Sequence, residues 1–116
     1  MNEETDTLIT RLVPLIDDIE LNRDLSPSLQ GAINSASVSG GMISNLVIKL
    51  MILKQRGEID FDQYKSLIMF QPEIMARLVK PDSRMTWMPL DEIELHHFTP
   101  VDNERFRAAL AKIRGD

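Results

Sequence analysis

Apolar side chains recur at helical spacing along most of this chain. Leu8, Leu12, Leu15, Ile16 and Ile19 fall on one stripe, as the buried face of an amphipathic helix does. They predict a first helix over residues 6–21, with Thr5 or Asp6 as its cap. Pro14 lies off the stripe and removes a backbone donor, so a kink or restart is expected there. Ser26-Pro27 has the order of a cap followed by a first-turn proline and predicts a short helix over 27–36.

Met42 to Arg56 carries the widest apolar face and predicts the strongest helix. Gly57 is placed to end it in a left-handed cap. Asp60 and Gln63 then have the spacing of a capping box, with Ile59 and Tyr64 at the staple positions around it. They predict a helix over 61–70. Gln71-Pro72-Glu73 closes that helix and opens another over 72–79. Thr99-Pro100 opens the last helix, whose apolar positions are Phe106, Ala109, Leu110 and Ile113.

Residues 80–98 break the pattern. Lys80-Pro81-Asp82-Ser83 reads as a turn. Met85, Trp87, Ile93 and Leu95 alternate only in part, and Pro89 divides them. A small β hairpin or edge element near residues 84–98 is the expectation. The expected fold is therefore all-α, or mainly α with that one β element. It is a single domain over residues 1–116, a compact bundle of four to six helices.

Composition narrows the chemistry. The chain has 116 residues and 43% apolar side chains, enough for a core without covalent staples. There is no cysteine, which excludes disulfides, thiolate catalysis and cysteine-ligated metal centres. Glu3, Glu4 and Asp6 make the first residues the opposite of a secretory leader. No stretch approaches the roughly 20 apolar residues of a membrane span. A cytoplasmic location is expected.

Charge is distributed in blocks. Residues 1–24 carry seven acids and two bases, and residues 85–104 carry five acids with no lysine or arginine. Residues 25–48 carry no ionisable side chain at all. Within that block Ala32, Ala36, Gly40 and Ser44 recur every fourth position, and on a helix they make a smooth stripe for close approach of another backbone. A serine-rich loop between short helices is the plainer alternative, because Gly40-Gly41 disfavours a continuous helix. Absence of charge also suits an interface core.

No catalytic constellation emerges. His96 and His97 are adjacent and would face opposite ways on a strand, so they make a poor metal site. The acid groups Asp17-Asp18-Glu20 and Asp91-Glu92-Glu94 read as solvated surface. No nucleophile elbow, phosphate loop or dinucleotide fingerprint occurs. No cofactor or metal is expected.

What remains is a bias toward binding. Seven methionines suit irregular cores and adaptable surfaces alike. Trp87, flanked by Met85 and Met88, is a candidate anchor, since tryptophan is enriched at interface hot spots. The expected function is a non-enzymatic protein–protein interaction. The chain would be a small regulator, such as an inhibitor, anti-activator or assembly adaptor, that masks a partner's surface. Ala32, Ala36, Gly40, Met42, Met85, Trp87 and Met88 are the candidate contact residues, and a homodimer is expected.

The alternative is a winged helix-turn-helix DNA-binding regulator built from residues 43–98. Residues 71–80 would be its reading helix and residues 85–98 its wing. The apolar character of the first and the acidity of the second oppose that role, as does a net charge of −5.

Overall fold

The structure is a computed structural model and describes residues 2–38, 44–79, 88–93, 95 and 98–115. Among the described residues there are seven α-helices, one 3-10 turn and no strand. The fold is all-α. Two compact units, residues 1–69 and 70–116, are described separately.

In the first unit α1 spans Glu3–Asp18, three residues earlier than the apolar stripe predicts. Its cap is Asn2, whose side chain accepts from the Thr5 amide at 2.7 Å. The helix runs unbroken across Pro14, an exposed position. It ends where Ile19 turns extended.

α2, Leu21–Asp24, brings the helix count one above the expected maximum. Four residues cannot hold a helix by their own propensity. Here Asp24 does so through charge. Arg23 donates to its carboxylate from Nε and Nη2, both at 3.0 Å, and the Glu20 amide donates at 2.9 Å. Arg56 approaches to 3.4 Å.

The hydrogen bonds from Arg23 and Glu20 hold the Asp24 carboxyl down at about 2, against an ordinary 3.8. A lowered carboxyl contributes stability in full above its ordinary value and loses it as pH falls toward the folded value. Asp24→Asn is therefore expected to flatten the pH dependence of stability between pH 3.8 and about 2. Urea denaturation midpoints measured across that window check it, and an unchanged slope would refute the assignment.

α3 spans Pro27–Val38. Ser26 accepts from the Leu29 amide at 3.3 Å and Pro27 occupies the first turn, as expected. α4 spans Asn45–Gln55, not from Met42. Its cap is Ser44, in extended backbone, accepting from the Val47 amide at 3.2 Å. Because Ser44 is extended, the stripe from Ala32 to Ser44 does not lie on one helix. Ser26 donates to Gln55 at 3.1 Å, tying the start of α3 to the end of α4.

α4 and α5, Phe61–Met69, meet through two interlocking end motifs. Gly57 has φ +81°. Its amide donates to Lys54 O at 3.1 Å and the Glu58 amide donates to Leu53 O at 3.0 Å, which is the Schellman arrangement. Two residues later the Asp60 amide donates to Gln63 Oε1 at 3.0 Å, and the Gln63 amide donates to Asp60 Oδ1 at 2.8 Å. The predicted capping box is present in full. The core of this unit is built from Ile9, Leu12 and Ile16 of α1, Leu46, Leu50 and Leu53 of α4, and Leu67 of α5, all buried.

In the second unit α6, Gln71–Leu78, packs along α7, Pro100–Arg114. Thr99 caps α7 by accepting from the Asp102 amide at 3.2 Å. Gly115 ends it at φ +82°. Ala76, Ile93, Phe106 and Leu110 form the core cluster. Arg105 of α7 grips Glu73 of α6 with two parallel bonds of 2.9 and 2.8 Å, a planar fork on a carboxylate.

The β element expected near residues 84–98 is not found among the described residues. Leu90–Glu92 form a 3-10 turn, and the segment around it is held by side chains of α7. The Leu95 amide donates to Asn103 Oδ1 at 2.7 Å, and Asn103 Nδ2 donates back to Leu95 O at 3.0 Å and to Phe98 O at 3.4 Å. Arg107 donates to Ile93 O at 2.8 Å and Arg114 to Met88 O at 3.3 Å. At Met88, Ile93, Leu95 and Phe98, backbone groups that a partner strand could satisfy are satisfied by side chains of a helix.

Candidate functional site

Of the residues expected to form a contact surface, Ala32, Ala36 and Met88 are among those described. On α3, Ala32 is exposed and Ala36 half-buried. Met88 packs against the core cluster of the second unit, so its side chain is engaged internally. Gly40, Met42, Met85 and Trp87 lie outside the described residues, as do His96 and His97. Asp17, Asp18, Glu20, Asp91 and Glu92 are exposed. Among the described residues no group of three or more His, Cys, Asp or Glu is arranged to hold a metal ion. No helix among them is long and apolar enough to cross a membrane.

The strongest surface feature lies on α4 and α5. The joint between these helices sets Phe61 at the first position of α5. Leu67 turns inward from the same helix, which leaves Phe61, Lys65 and Met69 on the outer face. They are spaced four apart and therefore stacked along the helix. Phe61 is 56% exposed and Met69 69% exposed. Leaving a side chain of this size in water forgoes roughly 1.5–3 kcal/mol of burial. Phe61 and Met69 stand two turns apart on this face, with Lys65 between them.

Two cations meet over this face. The Lys65 ammonium stands 4.8 Å from the centre of the Phe61 ring, and Lys54 reaches across from α4 to 5.2 Å. Lys54 also lies 5.4 Å from the Tyr64 ring. The Phe61 and Tyr64 rings are stacked, 6.4 Å apart and 27° from parallel. Each ammonium gains about 0.5–1 kcal/mol from the negative face of a ring at an exposed site. Lys65 also pairs with Asp62 at 3.5 Å. Partial burial pushes the Tyr64 hydroxyl above its ordinary range, so it stays protonated. The resulting face is aromatic at its centre, cationic above and thioether-lined at one end. It offers groups for packing and charge pairing.

From the sequence, Tyr64 is a staple residue at the start of the helix predicted over 61–70. The spacing Phe61, Lys65, Met69 was available as a signal. These positions avoid the stripe of Leu67, so their apolar members had no place in that helix's own core.

For the DNA-binding alternative, α6 supplies residues 71–78 of the expected reading helix, and Lys80 lies outside the described residues. None of the α6 residues is exposed: Pro72, Ile74 and Ala76 are buried and the others half-buried. Glu73 is engaged with Arg105. The chain matches no protein-family model, no curated protein and no solved structure.

Proposed function

We propose that this chain is a non-enzymatic protein-interaction module, a small regulator that works by covering a surface of a partner protein. The α4–α5 face is its contact surface. The observation that carries the proposal is the exposed Phe61 ring with the Lys54 and Lys65 ammonium groups 5.2 and 4.8 Å from its centre, and the exposed Met69 two turns further along the same helix. Interface cores favour aromatic and methionine side chains, with most of the binding energy in a few anchors. An inhibitor, an anti-activator and an assembly adaptor all work through such a surface.

The DNA-binding alternative draws no support from α6, which presents no exposed side chain to a groove.

Phe61→Ser tests the proposal. A surface substitution of this kind is expected to change stability by less than about 1 kcal/mol. Binding to a partner first captured by wild type, then purified, is expected to weaken by more than about tenfold, the loss typical of an interface anchor. Titration calorimetry and a thermal melt measure the two effects. Unchanged affinity for that partner would remove the α4–α5 face from the function.

A further inference from the structure

We infer that Met69 is a site of reversible oxidation, where a peroxide turns the thioether into a sulfoxide and removes the apolar end of the α4–α5 face. The modification stands on the exposure of the sulfur. Its regulatory consequence rests on the reading of α4–α5 as an interaction face.

Oxidation of a methionine requires the sulfur to meet the oxidant in water. Met69 is the last residue of α5 and is 69% exposed. Met51, Met75 and Met88 are half-buried, and Met75 and Met88 pack against the core cluster of the second unit. Among these four described methionines, the fold therefore presents the Met69 sulfur to solvent and shields the others. Leu67 carries the burial of α5, so a polar group at position 69 enters no core. The same change at Met75 would set a polar oxygen against Ala76, Phe106 and Leu110.

The step needs only the peroxide. A sulfur lone pair attacks one peroxide oxygen, a sulfur–oxygen bond forms and the oxygen–oxygen bond breaks. The departing hydroxide takes the proton left on the sulfur-bound oxygen and leaves as water. Sulfur is oxidised and peroxide is reduced. Thiol-dependent methionine sulfoxide reductases reverse the change. The product is a polar, chiral group where an apolar one stood. Lys65 precedes Met69 by one helical turn, with its ammonium 4.8 Å from the centre of the Phe61 ring. A sulfoxide oxygen at position 69 gives that ammonium a new acceptor, in competition with the ring. Oxidation thus alters the face at its thioether end and at its charge.

The full chain is treated with millimolar hydrogen peroxide, digested at intervals and read by mass spectrometry of its methionine peptides. Met69 is expected to gain oxygen at least about fivefold faster than Met51, Met75 or Met88. In urea the four rates are expected to converge, because the fold alone separates them. Methionine sulfoxide reductases are expected to return the Met69 peptide to its original mass. Equal rates in the folded chain overturn the inference. So does an order of rates that urea leaves unchanged, or a Met69 peptide that the reductases leave oxidised.

The regulatory consequence is read on the purified partner by titration calorimetry. Chain oxidised at Met69 is expected to bind at least about fivefold more weakly, with a melting temperature within about 4 °C of untreated chain. Met69→Leu given the same peroxide is expected to keep its affinity. Selective oxidation that leaves affinity unchanged, where Phe61→Ser still weakens it, overturns the regulation and leaves the proposed function standing. Affinity unchanged by both removes the two together.

Discussion

Phe106→Ala is expected to unfold the second unit, at a cost of about 3–5 kcal/mol. The Phe106 ring is fully buried and, among the described residues, clusters with the buried Ala76, Ile93 and Leu110. Met75, Val79, Met88, Leu90, Leu95 and Phe98 pack around that cluster from α6 and the irregular segment. Removing the ring takes away the element they share and leaves a cavity at the centre of the cluster. A small domain is stabilised by only about 5–15 kcal/mol in total, so the loss is a large share of the whole. Urea denaturation followed by circular dichroism measures it. A cost below about 1 kcal/mol, the range of surface substitutions, would show that the cluster is not a core.

Asn103→Leu is expected to cost about 2–3 kcal/mol, although it adds apolar volume at a buried position. Asn103 is 5% exposed and is the only buried polar residue among those described. Its amide side chain serves the Leu95 amide, the Leu95 carbonyl and the Phe98 carbonyl together. Leucine has nearly the same size but no donor or acceptor. The Leu95 amide would lose the acceptor it donates to, and the Leu95 carbonyl would keep only the Phe98 amide, 2.9 Å away; a partly buried backbone donor is costly to strand. Asn103→Asp keeps the acceptor for Leu95 N–H and loses the donors, so it should fall between wild type and leucine. Amide exchange at Leu95 gives a local readout. It should accelerate in both variants, and most in Asn103→Leu. Unaltered exchange at that amide would mean that the segment holds itself.

Most helix ends were legible because they depend on neighbours in sequence. Gly57, the pair Asp60 and Gln63, Ser26-Pro27 and Thr99-Pro100 each act within a few residues, and each acts where expected. The differences from expectation have two sources, contacts distant in sequence and a local cap hidden by periodicity. α2 is held partly by Arg56, more than thirty residues away. The start of α4 belongs to the Ser44 hydroxyl, a local signal masked by apolar periodicity running back to Met42. The segment taken for a hairpin is shaped by Asn103, Arg107 and Arg114. Partial alternation at Ile93 and Leu95 reflects packing on α7, and periodicity does not distinguish that from a strand.

The candidate site was less legible than the fold. Methionine and tryptophan content points to residues 85–88 and to the uncharged block, and Met85 and Trp87 lie outside the described residues; among the described residues an exposed aromatic side chain is Phe61. Its meaning lies in two lysines. Lys65 is four residues away on the same helix, but Lys54 belongs to the preceding helix and comes near only through the reversal at Gly57.

That reversal sets the entropy of recognition. Between the last turn of α4 and the first turn of α5 the backbone is pinned by four short-range hydrogen bonds, two around Gly57 and two around Asp60. The bases of the Lys54 and Phe61 side chains therefore keep their separation before anything arrives. A surface whose backbone must first be ordered loses about 1–2 kcal/mol of affinity for every residue it fixes. Here that loss falls during folding, and an incoming surface has only side-chain rotamers left to settle.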